Sequence, residues 1–415
     1  MIKRVPILEG NLDDHQVGSD DILTGISTST SILIGDAGQN ILDHAVGGND
    51  TFSLVFSPQP NLQNSSYGDA RGDISDHAAG GNDAFSLSGN SLLSFFSLYG
   101  DAGAEMSGHA AGGDDTFGLT VTSSFSSYSL FGDAGADISG HAKGGSDTFS
   151  FSGNAAQSTF LFNGDAGANL TEHAEGGNDT FNFGGFSSQS LVSLSGDAGG
   201  DLSGYAVGGN DTFNVSGSSL RTGNLFYGDA RGNMSDDAQG GNDTFIFSGS
   251  SSLSGYSFYG DAGGTMSGDA RGGNDTIIAG SNSPPGSSTL VGDAQTMSDN
   301  AHGGNDVLVS GTGNDQMWGD AQVMSGNAQG GNDTFVFKPG NGHDTIGDFG
   351  QGQAGSQWGI DHIDVTALGI HAFSELNISA FDPATHQSTI TFSPGNDLVV
   401  HSQIALNQND FLFAA

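Results

Sequence analysis

The chain is 415 residues long, carries 47 acidic residues against 8 Lys and Arg for a formal net charge of −39, and has 70 glycines and no cysteine. That balance excludes nucleic acid and membrane insertion as modes of action, because basic patches or long apolar spans are absent, and it favours multivalent cations. The missing cysteines exclude disulfides, thiolate metal sites and cysteine nucleophiles.

In residues 1–34 the opening MIKRVPILEGNLDD is basic but has no apolar stretch long enough for a signal peptide. It leads into a first partial coil. From 35 to 337 one unit recurs. The triplet Gly-Asp-Ala begins at Gly35, Gly68, Gly100, Gly132, Gly164, Gly196, Gly228, Gly260, Gly292 and Gly319, and every step from Gly68 to Gly292 is 32 residues. A fixed period of this size marks a solenoid, propeller or array. Each unit reads G-D-A, a Met/Ile/Leu, a second Ala, G-G-N-D-T-F, a Ser-rich stretch, and an apolar run into the next G-D-A. Strand alternation follows the second Asp, as in DTFSF (Asp147–Phe151) and DTFNF (Asp179–Phe183), and precedes the triplet, as in FLF (Phe160–Phe162) and YSF (Tyr256–Phe258). Strands this short must stack coil on coil. The pattern therefore predicts an all-β, parallel β-solenoid with wide coils and a β-rich C-terminal cap.

Stacking turns each motif position into a ladder with rungs roughly 4.8 Å apart. Phe85, Leu87, Phe96 and Leu98 point inward in one coil, and Ile41, Ile74, Met106, Ile138, Leu170, Leu202, Met234, Met266, Met297 and Met324 form a further apolar ladder. The glycines are expected at tight corners with positive φ.

Two aspartate ladders run without a missing rung. One is Asp36, Asp69, Asp101, Asp133, Asp165, Asp197, Asp229, Asp261, Asp293 and Asp320; the other is Asp50, Asp83, Asp115, Asp147, Asp179, Asp211, Asp243, Asp275, Asp306 and Asp333. Like charges this close repel by roughly 1 kcal/mol per pair in water and more when partly buried. Eight basic residues cannot neutralise them. Carboxylates beside glycine-rich turns form an all-oxygen environment, which suits Ca2+.

GGNDVLVSGTGNDQMWGDA (Gly303–Ala321) resembles the glycine- and aspartate-rich nonapeptides of the RTX (repeats-in-toxin) family, and GSDDILTG (Gly18–Gly25) is a partial copy. The resemblance extends over about residues 17 to 337. It implies a calcium-loaded β-roll in which the turn aspartates, with Asp315 and Asp344, and neighbouring glycine carbonyls are ligands. In most units a Ser-rich segment such as SGNSLLSFFS (Ser88–Ser97) replaces one acidic turn. Wide coils with calcium concentrated on one edge are expected.

Residues 338–415 leave the repeat. KPGNGHDTIGDFGQGQ and the terminal NQNDFLFAA look like the C-terminal domain of RTX proteins exported by type I secretion, with Asp410–Phe413 matching the acidic-plus-apolar ending of that signal. This implies a type I secretion exporter as partner and an extracellular or cell-surface location. A cap closing the last coil is needed in any case.

His44, His77, His109, His141 and His173 share one repeat position, continued by Tyr205, Asp237, Asp269, Asn300 and Asn327. Such a column is either a tolerant polar corner or a metal- or pH-responsive one. No H-E-x-x-H or G-x-S-x-G occurs, and no catalytic domain precedes the repeats, so no enzyme activity is expected. The reading is a secreted structural protein that forms a homo-oligomer, filament or surface layer. An adhesin or ice-binding module is the alternative, and a polysaccharide-modifying enzyme ranks behind both. Phe56, Phe95, Phe125 and Phe186 on the Ser-rich tips are expected to form an outward stripe for self-association.

Overall fold

The computed structural model describes residues 10–415, apart from 28–29, 57–58, 221–222, 253–254, 284–286 and 354–355. Alternation of apolar and small polar residues produces the strands. Along Thr51–Phe56 the side chains of Phe52, Leu54 and Phe56 are buried, while those between them face outward. About ten turns stack into a parallel β-solenoid, with 47% of the chain in strands.

Each coil gives the strand after its second aspartate to an 18-stranded sheet and the strand before Gly-Asp-Ala to a 14-stranded sheet. Neighbouring coils pair in parallel, residue for residue, as in Phe85↔Phe117 and Phe117↔Phe149. Aromatic rings fix this register. Phe52, Phe85, Phe117, Phe149, Phe181, Phe213 and Phe245 form one stack with centroids 4.5–4.9 Å apart. A one-residue slip would turn the whole stack to solvent. Phe85, Leu87, Phe96 and Leu98 are all buried in the core between the two sheets.

The segment between the two aspartates of a coil closes around a second, separate core. Two columns of alanine flank the Met/Ile/Leu ladder there, buried throughout except for the partly buried Met324. Isolated parallel bridges such as Ile74↔Met106 and Met106↔Ile138 join this third side. A coil is thus two apolar lobes of unequal size, and the aspartates lie at the neck between them.

Three expectations change. The acidic ladders are not on an outer edge: their carboxylates are at most 5% exposed, because the chain loops back around each pair to bury the alanine core. The Gly-Asp-Ala and Gly-Gly glycines do not have positive φ. That conformation recurs in a column at the far corner of the small lobe, shared by Asp43, Asp76, Gly108, Gly140, Glu172, Gly204, Asp236, Gly268, Asp299 and Gly326, and in a second at the tip of the large lobe, shared by Asn61, Leu93, Phe125, Gln157 and Gln189. Finally, the four tip phenylalanines make no common stripe. Phe56 is buried on Phe96, with centroids 4.3 Å apart. Phe95, Phe125 and Phe186 are exposed but occupy different columns: Phe95 aligns with Gln63 and Ser127, and Phe186 with Asn154 and Ser218.

The stacking also continues past Lys338. His362–Asp364 adds to Thr334–Val336, and Phe411–Leu412 adds to His362–Asp364, so Phe411 is the last rung of the main core. The other sheet ends in three antiparallel strands, Asn396–Ser402, Gln387–Ser393 and Asn377–Ile378. The C-terminal segment thus adds the last rungs to both sheets.

Candidate metal centre

The neck is built by glycine. A Cβ on Gly100 would lie 1.7 Å from both Asp115 Oδ2 and the carbonyl oxygen of Gly132. One on Gly112 would lie 1.6 Å from Asp133 Oδ1, and one on Gly113 would lie 1.7 Å from the Gly81 carbonyl oxygen. Any side chain at these positions would fill the space where the oxygens gather. The glycines are there for close approach of backbone and carboxylate, repeated in every coil.

Each ladder holds its carboxylates by a regular backbone bond. In the first, the second Gly of the same coil donates: Gly113 N to Asp101 Oδ2 at 2.8 Å, and Gly177 N to Asp165 at 3.0–3.1 Å. In the second, the aspartate one coil back donates: Asp83 N to Asp115 Oδ1 at 2.5 Å and Asp115 N to Asp147 Oδ1 at 2.6 Å. In Asp133, Asp165 and Asp197 both oxygens share the glycine N–H; in most other rungs one oxygen is fixed and the other is turned into the neck. There, Asp50, Asp83, Asp115, Asp147, Asp179, Asp211, Asp243, Asp275, Asp306 and Asp333 each present a buried Oδ2 with no hydrogen-bond partner. Asp69, Asp101, Asp229, Asp261, Asp293 and Asp320 of the facing ladder likewise have one orphaned oxygen each. Leaving even one buried polar atom unsatisfied costs about 1–3 kcal/mol, and more for a charged group.

Among the described residues no cation answers them: the ion pairs are Lys143–Glu175 and His343–Asp397, both away from the neck. Burial is the leading cause that pushes the ladder carboxyls from Asp50 to Asp333 upward, and neighbouring carboxylates add to it: Asp115 and Asp133 for Asp101, Asp179 and Asp133 for Asp165. Asp50 is pushed up to about 8 and Asp261 to about 6.

The carboxylates converge in threes. Asp69, Asp83 and Asp101 bring oxygens within 4.8 Å of one another, as do Asp133, Asp147 and Asp165, and Asp165, Asp179 and Asp197. Each group takes two residues from one ladder and the intervening one from the other, so Asp165 serves two groups. Such groups can hold a metal ion, and the all-oxygen donor set is that of a hard cation.

Asp315 and Asp344 lie elsewhere. They align with Ser288 on the outer end of the main core, remote in the coil from the neck. Their oxygens are taken up by Gly311 N, Ser288 N, Asp315 N, the Ser310 hydroxyl and the Asn341 amide. Three ladder members escaped the sequence pattern. Asp348 accepts from Gly319 N and Asp320 N, Asp361 accepts from Asp333 N and Gly350 N, and both are buried. At the other end Asp21 N donates to Asp50 Oδ1. The Gly-Asp of Gly347–Asp348 and the Asp-Asp-Ile of residues 20–22 were the available signals.

The molecule is thus a parallel β-solenoid with an internal double ladder of aspartates. Searches against family models and curated proteins find no match for the chain. Among the described residues no helix is long and apolar enough to cross a membrane.

Proposed function

We propose that this protein is a calcium-dependent structural solenoid of the cell surface or extracellular matrix, whose neck holds a row of Ca2+ ions between the aspartate ladders. The observation that carries this reading is the column of buried carboxylate oxygens without hydrogen-bond donors. Calcium suits them better than magnesium, because it accepts irregular all-oxygen coordination and sheds water readily. Two carboxylates per coil and one divalent ion per coil balance in charge. The folding energy then resides largely in the metal. A chain of this kind stays extended where calcium is scarce and folds where it is plentiful, which fits the type I export that the repeats and C-terminal segment suggest by resemblance. Self-assembly is part of the proposal, and the apolar side chains exposed in the first coil, Val17, Ile22 and Ile26, support it.

Circular dichroism in EDTA and in millimolar calcium tests the reading. Little β-signal in EDTA, restored by calcium but not by equal magnesium, is the expected outcome. A full β-spectrum in EDTA at pH 8 would overturn it.

A further inference from the structure

The histidine column supports a second metal site of a different chemical kind. It begins one coil earlier than the repeat suggests, at His15. From His15 through His44, His77, His109, His141 and His173 the ring centroids follow at 4.8–5.1 Å. The last four rings are stacked within 11° of parallel, and Tyr205 closes the stack at 4.9 Å. All six imidazoles are exposed. Among the described residues none of the six rings makes a hydrogen bond.

The backbone beneath them is rigid. His77, His109, His141 and His173 each donate N–H to the corner residue one coil back, at 2.5–2.9 Å. The residue before each histidine turns the corner at positive φ, and in four coils it is acidic: Asp14, Asp43, Asp76 and Glu172. The column thus presents imidazoles at a fixed interval, beside carboxylates, on a strongly negative protein.

We propose that adjacent rungs of this column chelate borderline transition-metal ions such as Zn2+, Ni2+ or Cu2+, one ion per pair of imidazoles. A metal–nitrogen bond of about 2.0–2.1 Å places two ligand nitrogens roughly 3.3–4 Å apart. The rings stand 4.8–5.1 Å apart at their centroids and the stacked ones aim their in-plane lone pairs side by side, so chelation requires each of the two exposed side chains to swing its ring toward the shared ion by about half the nitrogen–metal–nitrogen angle. Water or the acidic corner residue completes the coordination. Imidazole selects these ions over calcium, which prefers oxygen, so the column and the neck sort cations by type. Six imidazoles in a row accommodate up to three such ions.

The test is calorimetric titration of Zn2+ into the full chain in excess calcium, with Cu2+ electron paramagnetic resonance reporting the ligand atoms. The wild type is expected to take up two to three zinc ions, and bound copper to show nitrogen ligation. The variant His44→Asn/His109→Asn/His173→Asn leaves only histidines two rungs apart and is expected to bind zinc at least tenfold more weakly. Asn fits this column, since Asn300 and Asn327 occupy it. The variant His44→Tyr/His109→Tyr/His173→Tyr keeps the ring stack, as Tyr205 does, and is expected to lose zinc equally. Zinc binding unchanged in either variant, no zinc binding by the wild type, or copper bound by oxygen alone would overturn the proposal.

Discussion

Replacing Asp165 with Asn separates the two roles of the ladder, because the effect is expected to change sign with calcium. Asp165 contributes to two of the carboxylate groups, those with Asp133 and Asp147 and with Asp179 and Asp197. Asn keeps an acceptor for the Gly177 N–H but removes the charge. At an oxygen separation of no more than 4.8 Å and an effective dielectric constant of about 20, one like-charge contact costs at least about 3.5 kcal/mol. Partial protonation of the ladder lowers that, so about 1–3 kcal/mol of relief is expected in the metal-free chain at pH 8. In calcium the same change weakens two sites. A site saturated at one hundred times its Kd contributes about 2.7 kcal/mol, so the loss reaches about 5 kcal/mol if both fail. The assay is folding followed by circular dichroism, with denaturant in saturating calcium and with trimethylamine oxide in EDTA. The control is Asp114→Asn, an exposed position that is Asn82 one coil earlier; it should shift either arm by less than about 0.5 kcal/mol. Hydrogen exchange should show the calcium-dependent loss confined to coils near Asp165. Equal signs in the two arms, or an effect no larger than the control's, would refute the reasoning.

Acidification should favour the metal-free fold. The ladder carboxyls titrate higher when folded, at about 8 for Asp50 and Asp361 and about 6 for Asp261, against an ordinary 3.8. Their penalty is therefore complete above those values and absent below 3.8, so β-content in EDTA should rise from pH 8 to pH 4.5 while calcium affinity falls. Gly100→Ala should destabilise by more than about 3 kcal/mol in calcium melts because its Cβ collides with carboxylate and carbonyl. Gly255→Ala, whose Cβ would meet nothing closer than 3.8 Å, should be neutral or slightly stabilising. Phe411→Ala should cost about 3–5 kcal/mol, seen as loss of amide protection in the C-terminal coils only.

The columns themselves were legible, since a position repeated every 32 residues must stack in a solenoid. Inward residues such as Phe85 and Leu98 followed from period two. The place of the aspartates within the cross-section did not. An aspartate beside glycine looks like a surface turn, and only the alanine columns on the chain between Asp69 and Asp83 hint that this segment encloses a core of its own. Asp348 and Asp361 were obscured because the coil that carries them lacks the Gly-Gly-Asn-Asp spelling. Phe56 was misplaced because its strand extends further into the tip than the sequence signals, bringing its ring onto Phe96.

The most direct test is a crystal structure grown in calcium, with anomalous difference density collected at a long wavelength. The account requires a row of peaks inside the neck, about one per coil and roughly 5 Å apart, each in contact with the orphaned Oδ2 of the ladder from Asp83 to Asp333. A neck free of anomalous density, with peaks at the outer corners or none at all, would contradict it.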